Sequence, residues 1–130
     1  MSEGAPRILV VDDAGDMRDL YCMYLRQVGM HTDTATTVAD ARKTAARGRP
    51  DAIVIDVFVV GGTSDEPAQC LKTDDATRGV PIIGLCGTIL QPEQAAFASQ
   101  CDALLIKPCL PEDLAAELRL VLSARLPVLR

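Results

Sequence analysis

Four residues stand where charge could do chemistry: the adjacent pair Asp12 and Asp13, then Asp56, then Lys107. Each closes a short run of aliphatic residues, so each is expected at the end of a buried strand. Carboxylates gathered in a partly desolvated cleft repel one another, and a hard divalent ion with oxygen ligands relieves that repulsion. Magnesium is the natural candidate. With a cation shielding the incoming anion, Asp56 becomes an oxygen nucleophile toward phosphorus, while Asp12 and Asp13 hold the metal. Lys107 then pairs with a phosphoryl oxygen as a point charge. Lys107-Pro108 is also a candidate cis bond.

The elements needed to bring these residues together can be read along the chain. Residues 8–11 form an apolar strand ending at Asp12-Asp13. Met17, Leu20, Tyr21, Tyr24 and Val28 then recur at helical spacing, with Gly29 as the stop. Residues 31–35 give a second, more polar strand. Thr37, with Asp40 three residues on, opens a helix that ends near Gly48. Pro50 introduces the third strand, residues 52–55, which stops at Asp56. Residues 58–63, with Gly61-Gly62, read as a loop, and Ser64 is a cap for a short helix carrying Cys70 and Leu71. Pro81 leads into the fourth strand, which ends at Cys86-Gly87, and Pro92 marks the next helix. Residues 103–106 form the fifth strand. Pro111, Glu112 and Asp113 start the last helix, whose apolar face is Leu114, Leu118, Val121 and Leu122.

Five strands alternating with helices imply a doubly wound parallel sheet, because right-handed crossovers lay each helix over a face. Ligands of such sheets bind beyond the carboxyl ends of the strands. Asp12-Asp13, Asp56, Cys86 and Lys107 all fall on that edge.

Composition narrows the possibilities. The chain has 130 residues, enough for one domain with its own core. A net charge of -5 with no Lys/Arg stripe argues against direct nucleic-acid binding. No apolar run approaches the ~20 residues of a membrane span, and no leader pattern opens the chain, so a cytoplasmic location is expected. The five cysteines include no C-x-x-C pair, which disfavours zinc or a disulfide framework and makes most of them small core residues.

ILVVDD (residues 8–13), PDAIVID (50–56), VPIIGL (80–85) and LLIKP (104–108) together resemble the motifs of response-regulator receiver domains, in order and over nearly the whole chain. The resemblance implies a flavodoxin-like (βα)5 fold with strand order 2-1-3-4-5. It also implies phosphotransfer to Asp56 from a histidine kinase or phosphotransfer protein within a two-component system. By the same resemblance Asp13, Asp56 and the backbone carbonyl of Phe58 are direct magnesium ligands, Asp12 acts through water, and Lys107 contacts the phosphoryl group. Residues 1–130 are then a single receiver, with its core at about 7–124 and residues 125–130 as a tail or linker. Its output is a downstream protein or a C-terminal effector domain outside this chain. It is not an enzyme beyond its own phosphorylation and dephosphorylation.

The chain departs from the family at the conformational switch. Cys86 stands at the Thr/Ser position, and a thiol is a weaker donor than a hydroxyl. Leu104 stands at the aromatic position, so no ring can swing there. Val60 and Gln100 replace a proline and a glycine common in the adjoining loops. These departures support an alternative in which the fold serves as a phosphorylation-independent docking module. A phosphatase of the haloacid-dehalogenase kind would need a second aspartate where Phe58 stands. His31 has no partner in sequence and receives no role. Gly61-Gly62 lacks the P-loop lysine and reads as a turn.

Overall fold

A strand covered on both faces shows an unbroken aliphatic run, and Ile8 to Val11, Ala52 to Ile55 and Ile82 to Leu85 satisfy that condition. A computed structural model, which describes residues 4–60, 66–87 and 92–125, places them in the middle of the molecule. The elements are β1 (Arg7–Val11), α1 (Gly15–Gln27), β2 (His31–Ala35), α2 (Val38–Gly48), β3 (Ala52–Asp56), α3 (Val57–Val60), α4 (Glu66–Thr73), β4 (Ile82–Cys86), α5 (Pro92–Ala98), β5 (Ala103–Ile106) and α6 (Pro111–Arg125). All strand pairs are parallel, in the order β2-β1-β3-β4-β5 expected from the motifs.

Successive side chains of a strand point to opposite faces, and the core divides accordingly. Ile8, Val10, Ala52, Val54, Ile83 and Leu85 pack with Tyr21, Cys22 and Leu25 of α1 and Leu114, Ala115 and Leu118 of α6. Leu9, Val11, Ile53, Ile55, Ile82 and Cys86 pack on the other side with Ala41, Ala45, Val57, Leu71 and Phe97. Each fully buried Leu or Ile contributes about 1.5–3 kcal/mol by leaving water.

Helix ends are set by local chemistry. Helix α1 closes with Gly29 at φ 96, and Met30 N–H reaches back to the Leu25 carbonyl at 3.0 Å, a closure that needs the left-handed backbone glycine adopts. The Thr37 hydroxyl accepts from Asp40 N–H at 3.0 Å, capping α2 as the spacing predicts. One expectation is corrected: Phe58 to Val60 lie in the helical turn α3, not in a loop. The reason is the carboxylate before it, because Asp56 Oδ1 accepts the Phe58 N–H and turns the chain into a helical start. The rest of that expected loop, residues 61–63, and the Ser64 cap lie outside the described residues, as does the tail from 126 onward.

Gly84 on β4 is a point of close approach. A Cβ there would stand 2.9 Å from Cys101 Sγ, 2.9 Å from Leu104 Cδ2 and 3.2 Å from Val57 Cγ1. Gly84→Ala is expected to destabilise the fold by about 1–3 kcal/mol through overpacking, read as a lowered urea midpoint at unchanged slope.

Candidate functional site

Because Val11 pairs with Ile55, the residues that follow, Asp12 and Asp56, sit level across the β1/β3 pair at the carboxyl edge. Strand parity directs Asp12, Asp56 and Lys107 to the α1/α6 side of the sheet. Two of the three carboxylates are buried, with Asp12 1% and Asp56 4% exposed, whereas Asp13 is exposed. Apart from the family resemblance, the spacing does not tell the two adjacent aspartates apart; alternation makes Asp12 a floor residue and Asp13 a rim residue.

Asp12 and Asp56 share a local geometry. Asp12 Oδ1 accepts the Ala14 N–H at 2.9 Å, and Asp56 Oδ1 accepts the Phe58 N–H at 2.9 Å, each bond tying a strand end to the start of the next helix. Their second oxygens differ. Asp56 Oδ2 forms an ion pair with Lys107 Nζ, while Asp12 Oδ2 is buried with no hydrogen-bond partner. Burial pushes the Asp12 carboxyl above its ordinary value of 3.8, and the charges of Asp56 and Asp13 add to this; the Ala14 N–H and Lys107 oppose it.

That shift has a consequence for stability. A carboxyl whose folded pKa is raised contributes stability that is fully present below 3.8 and lost as pH rises through the raised value. Asp12→Asn keeps an acceptor for Ala14 and removes the buried charge. In EDTA at neutral pH this variant is expected to be more stable than wild type by about 1–3 kcal/mol, the gain from no longer burying a charge beside Asp56 and Asp13, offset in part by the amide nitrogen that takes the place of Oδ2. The advantage shrinks in acid, and urea midpoints at the two pH values measure it.

The connection carrying Lys107 is fixed from both sides. Lys107 N–H donates to the Cys86 carbonyl at 2.8 Å, the Lys107-Pro108 bond is cis as expected, and the Tyr21 hydroxyl donates to the Cys109 carbonyl at 2.9 Å. On the opposite rim Arg18 Nη1 donates to the Asp12 carbonyl at 2.7 Å. Neither Arg18 nor the Tyr21 hydroxyl stands out in the sequence, where Tyr21 reads only as one position of an apolar stripe. The signal it did carry is that a buried tyrosine needs a partner for its hydroxyl.

Cys86 and Leu104 belong to the other side of the sheet. Cys86 is buried in the apolar cluster with Val57 and Phe97, and Leu104 is 43% exposed. The Phe58 ring is exposed, while its main chain begins the turn after Asp56. His31 makes a β2 edge position far in sequence from any of these groups. Among the described residues, no three His, Cys, Asp or Glu side chains form a metal-holding group by themselves. No described helix is long and apolar enough to cross a membrane.

Residues 8–119 match the family of the response regulator receiver domain. The phosphate regulon transcriptional regulatory protein PhoB of Escherichia coli K12 is 27% identical over 125 residues, 95% of this chain and 55% of that protein. The transcriptional regulatory protein PrrA of Mycobacterium tuberculosis is 32% identical over 124 residues, 93% of this chain and 52% of that protein. The chain thus spans about half the length of the curated relatives it matches. Among solved structures, the chemotaxis response regulator CheY4 of Vibrio cholerae superposes with a TM-score of 0.76 at 27% identity, covering 90% of this chain and 98% of that one. The signal receiver domain of a histidine kinase from Syntrophus aciditrophicus gives 0.78 at 24% identity, covering 97% and 98%, a likeness of fold alone. Strand order, the carboxyl-edge pocket and the family match agree: this chain belongs to the response regulator receiver domain family.

Proposed function

We propose that the chain is a phosphoacceptor, with Asp56 receiving a phosphoryl group from a histidine kinase or phosphotransfer protein. The observation that carries this reading is the buried Asp56 carboxylate at the end of the central strand, paired with Lys107 and level with an Asp12 oxygen that has no partner. An Asp56 oxygen attacks phosphorus in line, a P–O bond forms, and the bond from phosphorus to the donor breaks with its electron pair leaving on the donor. Lys107, already at the carboxylate, pairs with an oxygen of the attached group and offsets its charge.

The acidic pocket suits a hard divalent cation. The buried, unpaired Asp12 Oδ2 is an acceptor in want of a positive partner, and the donor set is oxygen throughout. Side chains alone do not supply three ligands, so the set we assign is mixed: Asp13, Asp56 and the Phe58 carbonyl directly, with Asp12 through water. Magnesium bound there would shield the incoming phosphoryl oxygens from the carboxylates.

Residues 7–124 form the receiver core in this reading, and 125–130 begin a tail or linker. The curated relatives are about twice as long as the chain, which supports an output through a C-terminal effector domain or a separate protein partner. A kinase partner of this kind places the chain in the cytoplasm, and its only catalysis concerns its own phosphorylation state.

The test is incubation with acetyl phosphate and magnesium followed by intact mass. One phosphoryl adduct is expected, and EDTA is expected to prevent it. A wild-type protein that gains no mass under these conditions sinks the reading.

A further inference from the structure

Tyr21 is wholly buried on α1, in the cluster that lies beneath the pocket. Its hydroxyl bond to the Cys109 carbonyl joins residues 88 apart in sequence. Cys109 follows Lys107 by two residues, and Pro108 between them has no N–H to anchor. The main chain from which the Lys107 side chain departs is therefore held at two points, by Lys107 N–H on the Cys86 carbonyl and by Tyr21 on the Cys109 carbonyl. Burial, helped by Cys109, Asp12 and Asp56, pushes the Tyr21 phenol up to about 12, so the hydroxyl remains a donor across the physiological range.

We propose that Tyr21 is a positioning residue for Lys107: by holding the Cys109 carbonyl from α1, it sets where the Lys107 ammonium meets the Asp56 carboxylate. This rests on the reading of Asp56 as phosphoacceptor and Lys107 as its phosphoryl contact. A tyrosine that only fills the core would lower stability without acting through Lys107. A positioning tyrosine loses its effect once the lysine is gone.

The experiment compares phosphorylation rates with acetyl phosphate and magnesium for wild type, Tyr21→Phe, Lys107→Met and the double variant, alongside the side-chain NMR resonances of Lys107. Tyr21→Phe is expected to slow the wild type by about tenfold, within the range of coupling through a shared network, and to change the Lys107→Met rate less than about twofold. It is also expected to move the Lys107 Nζ resonance while those of Lys43 and Lys72 stay in place. Equal slowing in both backgrounds, or an unmoved Lys107 resonance, overturns the proposal. If the wild type takes no phosphoryl group, the phosphoacceptor reading fails, and the Lys107 resonance alone decides the positioning. Should Tyr21→Phe fail to fold, 3-fluorotyrosine incorporation keeps the hydroxyl and changes its donor strength; an unmoved Lys107 resonance then overturns the proposal equally.

Discussion

Asp56→Asn is expected to abolish the phosphoryl adduct formed with acetyl phosphate and magnesium. The amide keeps the shape of the carboxylate and an oxygen that can accept the Phe58 N–H at the start of α3. It loses the anionic oxygen that attacks phosphorus. The fold should survive, because two effects oppose each other. Lys107 loses its partner, but its side chain is about one-third exposed and can turn to water. The pocket in turn loses one of two buried like charges, which relieves Asp12. The net change in unfolding free energy is expected within about 1 kcal/mol. Intact mass and a urea transition on the same sample separate loss of chemistry from loss of structure. An undiminished adduct in this variant would place the phosphoryl group elsewhere.

Lys107→Met is expected to slow adduct formation by about 10²–10³-fold, the usual effect of removing one preorganised group that stabilises transition-state charge. Methionine retains much of the aliphatic stem, so the loss falls on the ammonium. In the unphosphorylated protein the Asp56 carboxylate, only 4% exposed, loses its counter-charge. Breaking a fully buried pair costs about 3–5 kcal/mol; with Lys107 partly in water, about 1–3 kcal/mol is expected here. Magnesium affinity should change in the opposite direction. Removing a positive charge from beside Asp56 leaves the pocket more negative, so calorimetric titration is expected to give tighter binding in the variant. A slower rate together with weaker magnesium binding would show that Lys107 acts by organising the pocket instead.

Much of this arrangement is legible in the residues. Strands β1, β3 and β4 announce themselves because parallel strands covered on both faces leave no room for polar interruption, and their ends coincide with Asp12, Asp56 and Cys86. The Thr37 cap and the Gly29 stop are local signals and appear where local chemistry puts them. The turn α3 is different. Three of its four residues are valine, a β-branched residue that disfavours helix, and Gly61-Gly62 follows, so its composition says loop. The Asp56 bond to the Phe58 N–H and the burial of Val57 in the core favour the turn. The site shows the same division. That Asp12, Asp56 and Lys107 share an edge follows from strand order, which the motifs carry. That Asp12 Oδ2 is left without a donor, or that Tyr21 reaches Cys109 across 88 residues, follows from packing between α1 and the β5–α6 connection. No local pattern encodes a contact of that separation.

The split of each strand into two faces has a consequence for how such a chain can change over time. Asp12, Asp56 and Lys107 lie on the parity shared with α1 and α6, whereas Cys86 and Leu104 lie on the parity shared with the helices of the other face. A substitution at Leu104 therefore alters the far side of β5 and leaves the side chains of Asp12, Asp56 and Lys107 in place, whereas Cys86, at the end of β4 with its carbonyl on the Lys107 N–H, stands between the two faces. Side chains on one face can thus change over time while those of the other stay as they are. An engineer could vary the exposed Leu104 face and keep Asp12, Asp56 and Lys107.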